Sequence, residues 1–198
     1  MITREQALEL IREHVKNENI VKHMLALEAV MRALYDELTK LPSNKVTNLG
    51  GTQDEFGMAG VLHDGDYCEG VPMEKQGVEI TKWARDRGFE IPENVAYAME
   101  AHNWSNTGSE PKSLMDWSIF CADSLTGLIV ACALVRPDKK LASVELSSVI
   151  KKFNQPSFAK GTRREDIAMC EERLGLKLED FIQIALTAMQ GISKDLGL

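Results

Sequence analysis

Histidine and aspartate side chains suited to metal binding recur in this chain on the apolar faces of expected helices. His23 and Asp123 each lie on such a face, and His63 with Asp64 directly follows the apolar run Met58–Leu62. A buried aspartate is costly without a partner, so it is normally paired or bound to a metal. Neutral imidazoles and carboxylates together suit Mn, Fe, Co, Ni or Zn, whereas oxygen ligands alone favour Mg or Ca. These residues therefore predict one divalent-metal site whose ligands come from several helices.

Each of these residues also has a simpler interpretation when it is taken alone. His23 is then a hydrogen-bonded histidine at the edge of the core, and Asp64 is a helix-end residue that begins a turn. Asp123 lies in FCADSLTGLIV, which has no Lys or Arg within a helical turn, so its partner must come from elsewhere in the fold. His14 lies in the charged stretch REHVKNEN and is expected on the surface. One metal site accounts for the set jointly, whereas the simpler interpretations require several coincidences.

Helical periodicity covers most of the chain, so the predicted fold class is all-α. Capping boxes begin helices at Thr3–Gln6 and at Thr52–Glu55. The alternating pattern of a half-buried strand is nearly absent. The further expected helices are Asn19–Lys40, Pro72 to about Gly88, Pro92 through His102, about Ser113–Val135, Thr162–Leu174 with Gly175 as its C-cap, and Leu178 to about Lys194; the expected loops are Leu41–Gly51 and Asn103–Lys112.

The end of the helix that begins at Thr52 matters for the expected site. Two adjacent residues reach one ion only where a helix ends or distorts, because successive helical side chains diverge by about 100°. We therefore expect this helix to finish at His63 and Asp64. Gly65 is expected to let the chain turn directly afterwards.

Composition and charge exclude several classes of protein. The 198 residues fit one domain, with 44% hydrophobic and 27% charged residues. A net charge of −7 without a dense basic block argues against binding to a nucleic-acid polymer or a membrane surface. The charged N-terminus lacks a signal-peptide pattern, and no apolar run reaches the length of a membrane span, so a cytoplasmic protein is expected. The four cysteines form no C-x-x-C pair and are expected to be free thiols.

The order of the expected metal ligands resembles a known family. The series His23, His63-Asp64 and Asp123 is similar to that of the HD-domain metal-dependent phosphohydrolase superfamily. VKHMLALEAVMRAL, GMAGVLHDGDY and CADSLTGLIVACALVRPDKKL resemble the helices that carry these ligands in a subgroup of bacterial single-domain HD proteins. The resemblance implies a single domain over residues 1–198. It would comprise an HD-domain helical bundle over about 19–140 and additional C-terminal helices over about 141–198.

The resemblance also implies an activity and a cofactor. One divalent ion (Mn, Fe, Co, Ni, Zn or Mg) would be held by His23, His63, Asp64 and Asp123. Family members hydrolyse phosphomonoesters or phosphodiesters, often of nucleotides, with water whose pKa the metal lowers. Other members serve as sensors. The alternative function is therefore a metal-binding regulatory or ligand-binding module with little or no hydrolase activity.

One departure from the family pattern bears on the number of metal ions. Binuclear members usually carry two further histidines between the motif and the last aspartate. This chain has His102 in that interval, and it has Gln76 where we would look for the other. We therefore expect one metal ion, with His102 as a substrate-facing group or a marginal ligand.

Proton transfer and substrate binding would then fall to residues near these ligands. The expected partner is a small phosphorylated substrate, and formation of a homo-oligomer stays open. The candidates for general acid or base are Asp64, Asp66, Glu69 and His102; those for substrate binding are Lys22, Trp104 and Arg136. Solvated loop acids, solubilising cations and ordinary aromatic packing are the simpler interpretations of most of these residues.

Overall fold

The structure, a computed structural model, describes residues 1–42 and 48–198. Those residues form α-helices and two 3-10 turns, with no strand among them, so the predicted all-α class is confirmed. The helices are α1 (Arg4–His14), α2 (Glu18–Leu38), α3 (Gln53–Leu62), α4 (Glu79–Asp86), α5 (Glu93–His102), α6 (Trp104–Thr107), α7 (Leu114–Leu134), α8 (Leu146–Phe153), α9 (Arg164–Ala168), α10 (Cys170–Arg173), α11 (Leu178–Gly191) and α12 (Ser193–Leu196); the 3-10 turns are Met73–Lys75 and Leu141–Ser143. Part of the loop expected over Leu41–Gly51, residues 43–47, lies outside the described residues.

Capping boxes begin α1, α3 and α7. The boxes at Thr3 and Thr52 are the two that the sequence predicts, and a third joins Ser113 to Asp116. In each box the cap side chain accepts from a backbone N–H in the first turn, and a side chain in that turn accepts from the N–H of the cap. The starts of α3, which leads to His63 and Asp64, and of α7, which carries Asp123, are thus set by local sequence.

Helix α7 is the central element of the fold. It packs against α2, α5, α8, α9, α10 and α11, and most of its side chains are buried. Within the described part of the chain, it is also the one helix long and apolar enough, by length and composition alone, to cross a membrane. This differs from the expectation that no segment would qualify, because a helix can pass on its average composition without an unbroken apolar run. The core helix of a soluble protein passes the same test, and the cytoplasmic location stays a prediction.

Helices α2 and α3 approach each other closely at a glycine. A Cβ atom on Gly60 would lie 2.9 Å from the Cα and backbone N of Glu28, so no larger residue fits without moving a backbone. Gly60 lies one turn before His63, and Glu28 lies just over one turn after His23. The glycine therefore lets the two histidine-bearing segments pack against each other.

The helix predicted from Pro72 to about Gly88 is wrong in its first half. The first 3-10 turn occupies part of it, and α4 begins only at Glu79. Gly77, between the two, has a φ of 83°, and a Cβ atom there would lie 2.3 Å from the carbonyl oxygen of Met99. The contact with α5 places a glycine turn where local pattern predicted a continuous helix.

Two shorter stretches also differ from prediction. The loop expected over Asn103–Lys112 contains the short helix α6. The helix expected over Thr162–Leu174 is divided into α9 and α10, which meet at Met169. Gly175 follows α10 with a φ of 69°, as predicted for a residue that ends a helix in the left-handed conformation.

The C-terminal helices share the core of the preceding ones. Helix α11 packs against α2, α7, α8 and α10, and α12 packs against α2. Phe181, Ile182 and Met189 of α11 are fully buried. Residues beyond 140 thus help to hold the two helices, α2 and α7, that carry His23 and Asp123.

Candidate metal centre

Four separate segments bring the expected ligands together. His23 comes from α2, and Asp123 from the middle of α7. His63 directly follows the last residue of α3, Asp64 comes next, and His102 is the last residue of α5. His63 is fully buried and the other four are largely buried, with their side chains 6–21% exposed.

Helix α3 ends at the position that the expected site requires. Its last residue is Leu62, and the N–H of Gly65 donates to the Leu62 carbonyl at 2.8 Å, which closes a turn through His63 and Asp64. The role of Gly65 differs from the expected one, because its φ is not positive. A Cβ atom there would instead lie 2.8 Å from Cγ1 of Ile80, so the glycine makes room for that neighbour.

The side chains form two overlapping groups whose candidate ligand atoms lie within 4.8 Å of one another. His23, His63 and Asp123 form one group, and His63, Asp64 and His102 form the other. Nε2 of His23 lies 3.0 Å from Oδ1 of Asp123. Nε2 of His63 lies 3.4 Å from Oδ2 of Asp64, and Nε2 of His102 lies 3.5 Å from Oδ1 of the same carboxylate. These buried groups can hold a metal ion, and His102 belongs to them as much as the four expected ligands do.

Backbone carbonyls determine the tautomers of His63 and His102. Nδ1 of His63 lies 2.9 Å from the carbonyl oxygen of Gly60, and Nδ1 of His102 is hydrogen-bonded to that of Met99. A carbonyl oxygen only accepts, so both Nδ1 atoms carry the hydrogen. In the neutral rings, both Nε2 atoms therefore present a lone pair to the cluster, as in a metal-ligating histidine.

A threonine in α7 plays the same role for His23. The hydroxyl of Thr126 donates to the backbone carbonyl of Asp123 at 2.8 Å, and its oxygen lies 2.9 Å from Nδ1 of His23. Because the hydroxyl hydrogen is already used, the oxygen accepts from Nδ1–H. Nε2 of His23 then also carries a lone pair directed at the cluster.

The closest contact between imidazoles tests whether this donor set fits a cation. Nε2 of His23 and Nε2 of His63 lie 3.1 Å apart. With both Nδ1 atoms protonated, two lone pairs face each other across this distance, which is repulsive unless a proton or a metal ion lies between them. Three nitrogen donors with two nearby carboxylates suit a divalent transition metal, so the residues present fit the expected ion.

Electrostatics keep both carboxylates ionised despite their burial. Burial raises the pKa of Asp123, but a proton on Nε2 of His23 outweighs it by hydrogen bond and charge and lowers the net value; a metal ion at that nitrogen would take the place of the proton. Burial likewise opposes ionisation of Asp64, yet His63 and His102 hold its pKa well below the usual range. The effects on the imidazole of His23 have the opposite signs. Burial lowers the pKa of His23, but the hydrogen bond and charge of Asp123 outweigh burial, so the net pKa is raised. Ionised carboxylates are the form that binds metal.

Arg163 reaches the cluster from a part of the chain that sequence reasoning did not single out. Its Nη2 lies 3.3 Å from Oδ2 of Asp123, and its Nε lies 2.9 Å from Oδ2 of Asp166. Asp123 therefore finds its partners elsewhere in the fold, as expected, in His23 and Arg163. The arginine comes forty residues after Asp123 and bears no periodic relation to it, so the basic pair in TRRE was the only local signal.

The two loop acids have separate positions. Asp66 is fully buried and accepts from the backbone N–H groups of Gly77 and Ile80 at 2.9 and 3.0 Å, one on each oxygen. Burial raises the pKa of Asp66, and those two donors oppose the shift. This carboxylate holds the turn before α4 through both of its oxygens. Glu69 is exposed and belongs to neither group of candidate ligands.

Lys22 and Arg136 belong to neither group of candidate ligands. Lys22 is half-buried next to Gly197, and it lines a cavity of about 510 Å³ together with His23. Arg136 lies beyond the end of α7, thirteen residues after Asp123. At a rise of 1.5 Å per residue this is about 20 Å along the chain, so Arg136 does not join the cluster.

Trp104 belongs to an aromatic group beside the cluster. Its ring lies 6.1 Å from that of Trp117 and 5.9 Å from that of Phe120, measured between centroids. Trp104 and Phe120 also line a cavity of about 410 Å³ together with Arg163. Contacts with Trp117 and Phe120 thus bury much of the Trp104 side chain, and the rest of it lines the same cavity as Arg163.

The remaining histidine and the cysteines lie outside the cluster. His14 is half-buried and stacks on Trp83 with centroids 4.0 Å apart, so it is not the freely exposed residue that its charged neighbours predicted. All four cysteines are free, as expected. Cys68 is half-buried and the other three are buried.

Comparisons with protein-family models, curated proteins and solved structures found no match to this chain. What the fold and the site define is therefore a class: an all-α protein in which buried histidine and aspartate groups can hold a metal ion.

Proposed function

We propose that this chain is a metal-dependent phosphohydrolase that cleaves a phosphomonoester or phosphodiester of a small metabolite or nucleotide. The observation that carries the proposal is the convergence of three imidazole Nε2 atoms on two ionised aspartates, with each Nδ1 already hydrogen-bonded to an oxygen. The HD-domain resemblance of His23, His63-Asp64 and Asp123 supports it, because the same residues lie together in the structure.

The protein would supply the ligands and one proton-transfer group. His23, His63, Asp64 and Asp123 would hold a divalent cation, which supplies charge to a phosphoryl oxygen and lowers the pKa of a bound water. Burial lowers the pKa of His102, but Asp64 outweighs it and raises the net value, which favours the protonated imidazole. His102 is then suited to protonate a leaving oxygen. The mixed nitrogen and oxygen donors favour Mn, Fe, Co, Ni or Zn over Mg.

A second candidate function is a metal-binding regulatory or ligand-binding module without efficient chemistry. It is favoured by the small number of groups available for proton transfer, since Asp66 holds a backbone turn and Glu69 belongs to neither ligand group. Among the described residues, no hydrogen bond joins the Gln76 side chain to the cluster either. His102 is then the main candidate left for that task.

The test combines metal analysis with a hydrolysis panel. We expect the purified protein to contain a divalent metal at near-stoichiometric level. It should hydrolyse a member of a panel of p-nitrophenyl phosphate, bis-p-nitrophenyl phosphate and nucleoside monophosphates with Mn, Co, Ni, Zn or Mg. Asp64→Asn should lose both metal and turnover, because it removes a carboxylate ligand. Glu69→Gln, which removes the same charge from an exposed position nearby, should retain both.

The outcomes separate the two candidates. Metal that is bound by the wild type and lost in Asp64→Asn, without turnover of any panel member, favours the regulatory module. Turnover that persists in Asp64→Asn, or a protein that takes up no divalent ion, contradicts the phosphohydrolase proposal.

A further inference from the structure

The expected metal and its ligands do not balance the full negative charge of a phosphate substrate. Asp64 and Asp123 carry two negative charges between them, and His23 and His63 are neutral when they bind metal. A divalent cation would therefore bring these four ligands to a net charge of about zero, and a proton on His102 would add one positive charge. A phosphate monoester carries between one and two negative charges near neutral pH, so a dianionic substrate still lacks one balancing cation.

Arg163 is placed to supply this cation. Among the ion pairs of residues 1–42 and 48–198, it is the one Arg or Lys side chain that reaches Asp64 or Asp123 within 4 Å. Oδ1 of Asp123 faces His23, whereas Oδ2 faces Arg163, so the guanidinium lies at the outer edge of the cluster. A guanidinium offers several donors in a planar fork that matches phosphate oxygens.

Protein partners orient the guanidinium of Arg163 but engage only some of its hydrogen-bond donors. Nε is paired with Asp166 at 2.9 Å and Nη2 with Asp123 at 3.3 Å. No hydrogen bond to Nη1 is found within the described part of the chain, and the side chain is 34% exposed. It also lines a cavity of about 410 Å³ together with Trp104, Phe120, Glu165 and Asp166, and none of the candidate metal ligands lines that cavity.

The neighbouring Arg164 keeps this loop in place. Its guanidinium donates to a set of backbone carbonyls at distances between 2.6 and 3.3 Å, and these carbonyls belong to Lys152, Phe153, Gln155, Phe158 and Thr162. The segment from the end of α8 to Arg163 is thus folded around one side chain. It includes Ala159 with a φ of 46°, which a non-glycine residue adopts only in a well-determined loop.

We propose that Arg163 binds the phosphoryl group of the substrate beside the metal ligands, and that the segment folded around Arg164 positions it. The substrate class in this inference rests on the proposed function. The contact would tie substrate binding to the C-terminal part of the chain, beyond the segments that carry the metal ligands.

The test measures metal and anion binding separately on the full-length protein. Manganese affinity is measured by the EPR signal of the free ion, and inorganic phosphate affinity is measured calorimetrically on the Mn-loaded protein. Arg163→Gln should raise the phosphate Kd by about tenfold to a hundredfold, since a charge-assisted hydrogen bond is lost. Its Mn Kd without phosphate should stay the same or fall by up to about tenfold, because a nearby positive charge opposes cation binding.

Two further variants serve as controls. Arg163→Lys keeps the charge without the fork and should give an intermediate phosphate Kd. Lys160→Gln removes a positive charge from an exposed position of the same loop and should behave as wild type. Far-UV circular dichroism checks that each variant is folded.

A weaker phosphate affinity without a weaker Mn affinity distinguishes anion binding from a structural role. A phosphate Kd for Arg163→Gln within twofold of that for Lys160→Gln overturns the inference, as does a folded Arg163→Lys that loses Mn and phosphate together. If no variant hydrolyses any ester but phosphate binding still depends on Arg163, the anion site stands and the proposed hydrolase function fails. If the wild type hydrolyses esters and Arg163→Gln does so with unchanged KM and kcat, the hydrolase stands and this inference fails.

Discussion

Thr126→Val tests whether the tautomer of His23 controls metal binding at the candidate centre. Thr126 is buried in α7, and its hydroxyl accepts from Nδ1 of His23 while donating to the Asp123 carbonyl. Valine has nearly the same shape but offers no acceptor, so the imidazole loses its partner in a buried place. The ring can then keep its hydrogen on Nε2, the tautomer that cannot bind metal through that atom. Loss of such a partner typically weakens metal affinity by about tenfold to a hundredfold.

The expected effect can be worked out as a shift in thermal stability. A metal present at one hundred times its Kd stabilises the native state by about 2.7 kcal/mol, whereas a tenfold weaker Kd leaves about 1.4 kcal/mol. In a chain of 198 residues, each kcal/mol changes Tm by roughly 2–4 °C. We therefore expect the metal-induced rise in Tm to be about 8 °C in the wild type and about 4 °C or less in Thr126→Val.

The assay is thermal unfolding with and without Mn²⁺, paired with a direct titration of the metal. Thr81→Val is the matched control, because Thr81 is also buried and its hydroxyl has no hydrogen-bond partner in the described part of the chain. That variant should show the wild-type rise in Tm. Equal metal-induced shifts in Thr126→Val and wild type would refute the reasoning, because the tautomer of His23 would then not control metal binding.

Three further predictions concern stability and reactivity. Asp66→Ala should lower the free energy of unfolding by about 2–5 kcal/mol in urea titrations, because two buried backbone N–H groups lose their acceptor, whereas Glu69→Ala should change it by less than about 0.5 kcal/mol. Glu55→Ala should lower the free energy of unfolding by about 1 kcal/mol at pH 7, because the Glu55 carboxylate accepts from the Thr52 N–H. This hydrogen bond lowers the pKa of Glu55 in the folded protein. The stabilisation is therefore fully present above the unfolded pKa of about 4.3 and is lost as the pH falls through the lower folded pKa. An unchanged cost at pH 3 would contradict this account of the cap. Ellman's reagent should modify Cys68 first in the native protein, because the other three thiols are buried and burial raises their pKa; four equal rates would show that the core opens freely.

The directions in which the helices face were predictable from local pattern. The apolar stripes of α2, α5 and α7 have the period of a helix, and His23, His102 and Asp123 fall on those stripes. Capping boxes at Thr3 and Thr52 fixed two helix starts by interactions within a single turn. Short-range hydrogen bonds and periodic burial are properties of adjacent residues, so sequence reasoning could use them.

The features that were predicted wrongly depend on contacts between segments that are distant in the sequence. Gly77 interrupts the predicted helix because the chain passes against the carbonyl of Met99. Asp66 was a candidate acid or base by its nearness to Asp64, but the turn before α4 uses both of its oxygens. Neither effect follows from residue type, because each depends on which backbone groups packing brings alongside.

The sequence by itself determined the all-α class and the inward position of most of the histidine and aspartate set. Only the tertiary structure decided what surrounds that set. Thr126 and two backbone carbonyls give the imidazoles their hydrogen-bond acceptors, and Arg163 comes from forty residues away to meet Asp123. The physical reason is that periodicity specifies the face on which a side chain lies, whereas its protonation, its partners and its net electrostatic environment depend on other helices packed within a few ångströms.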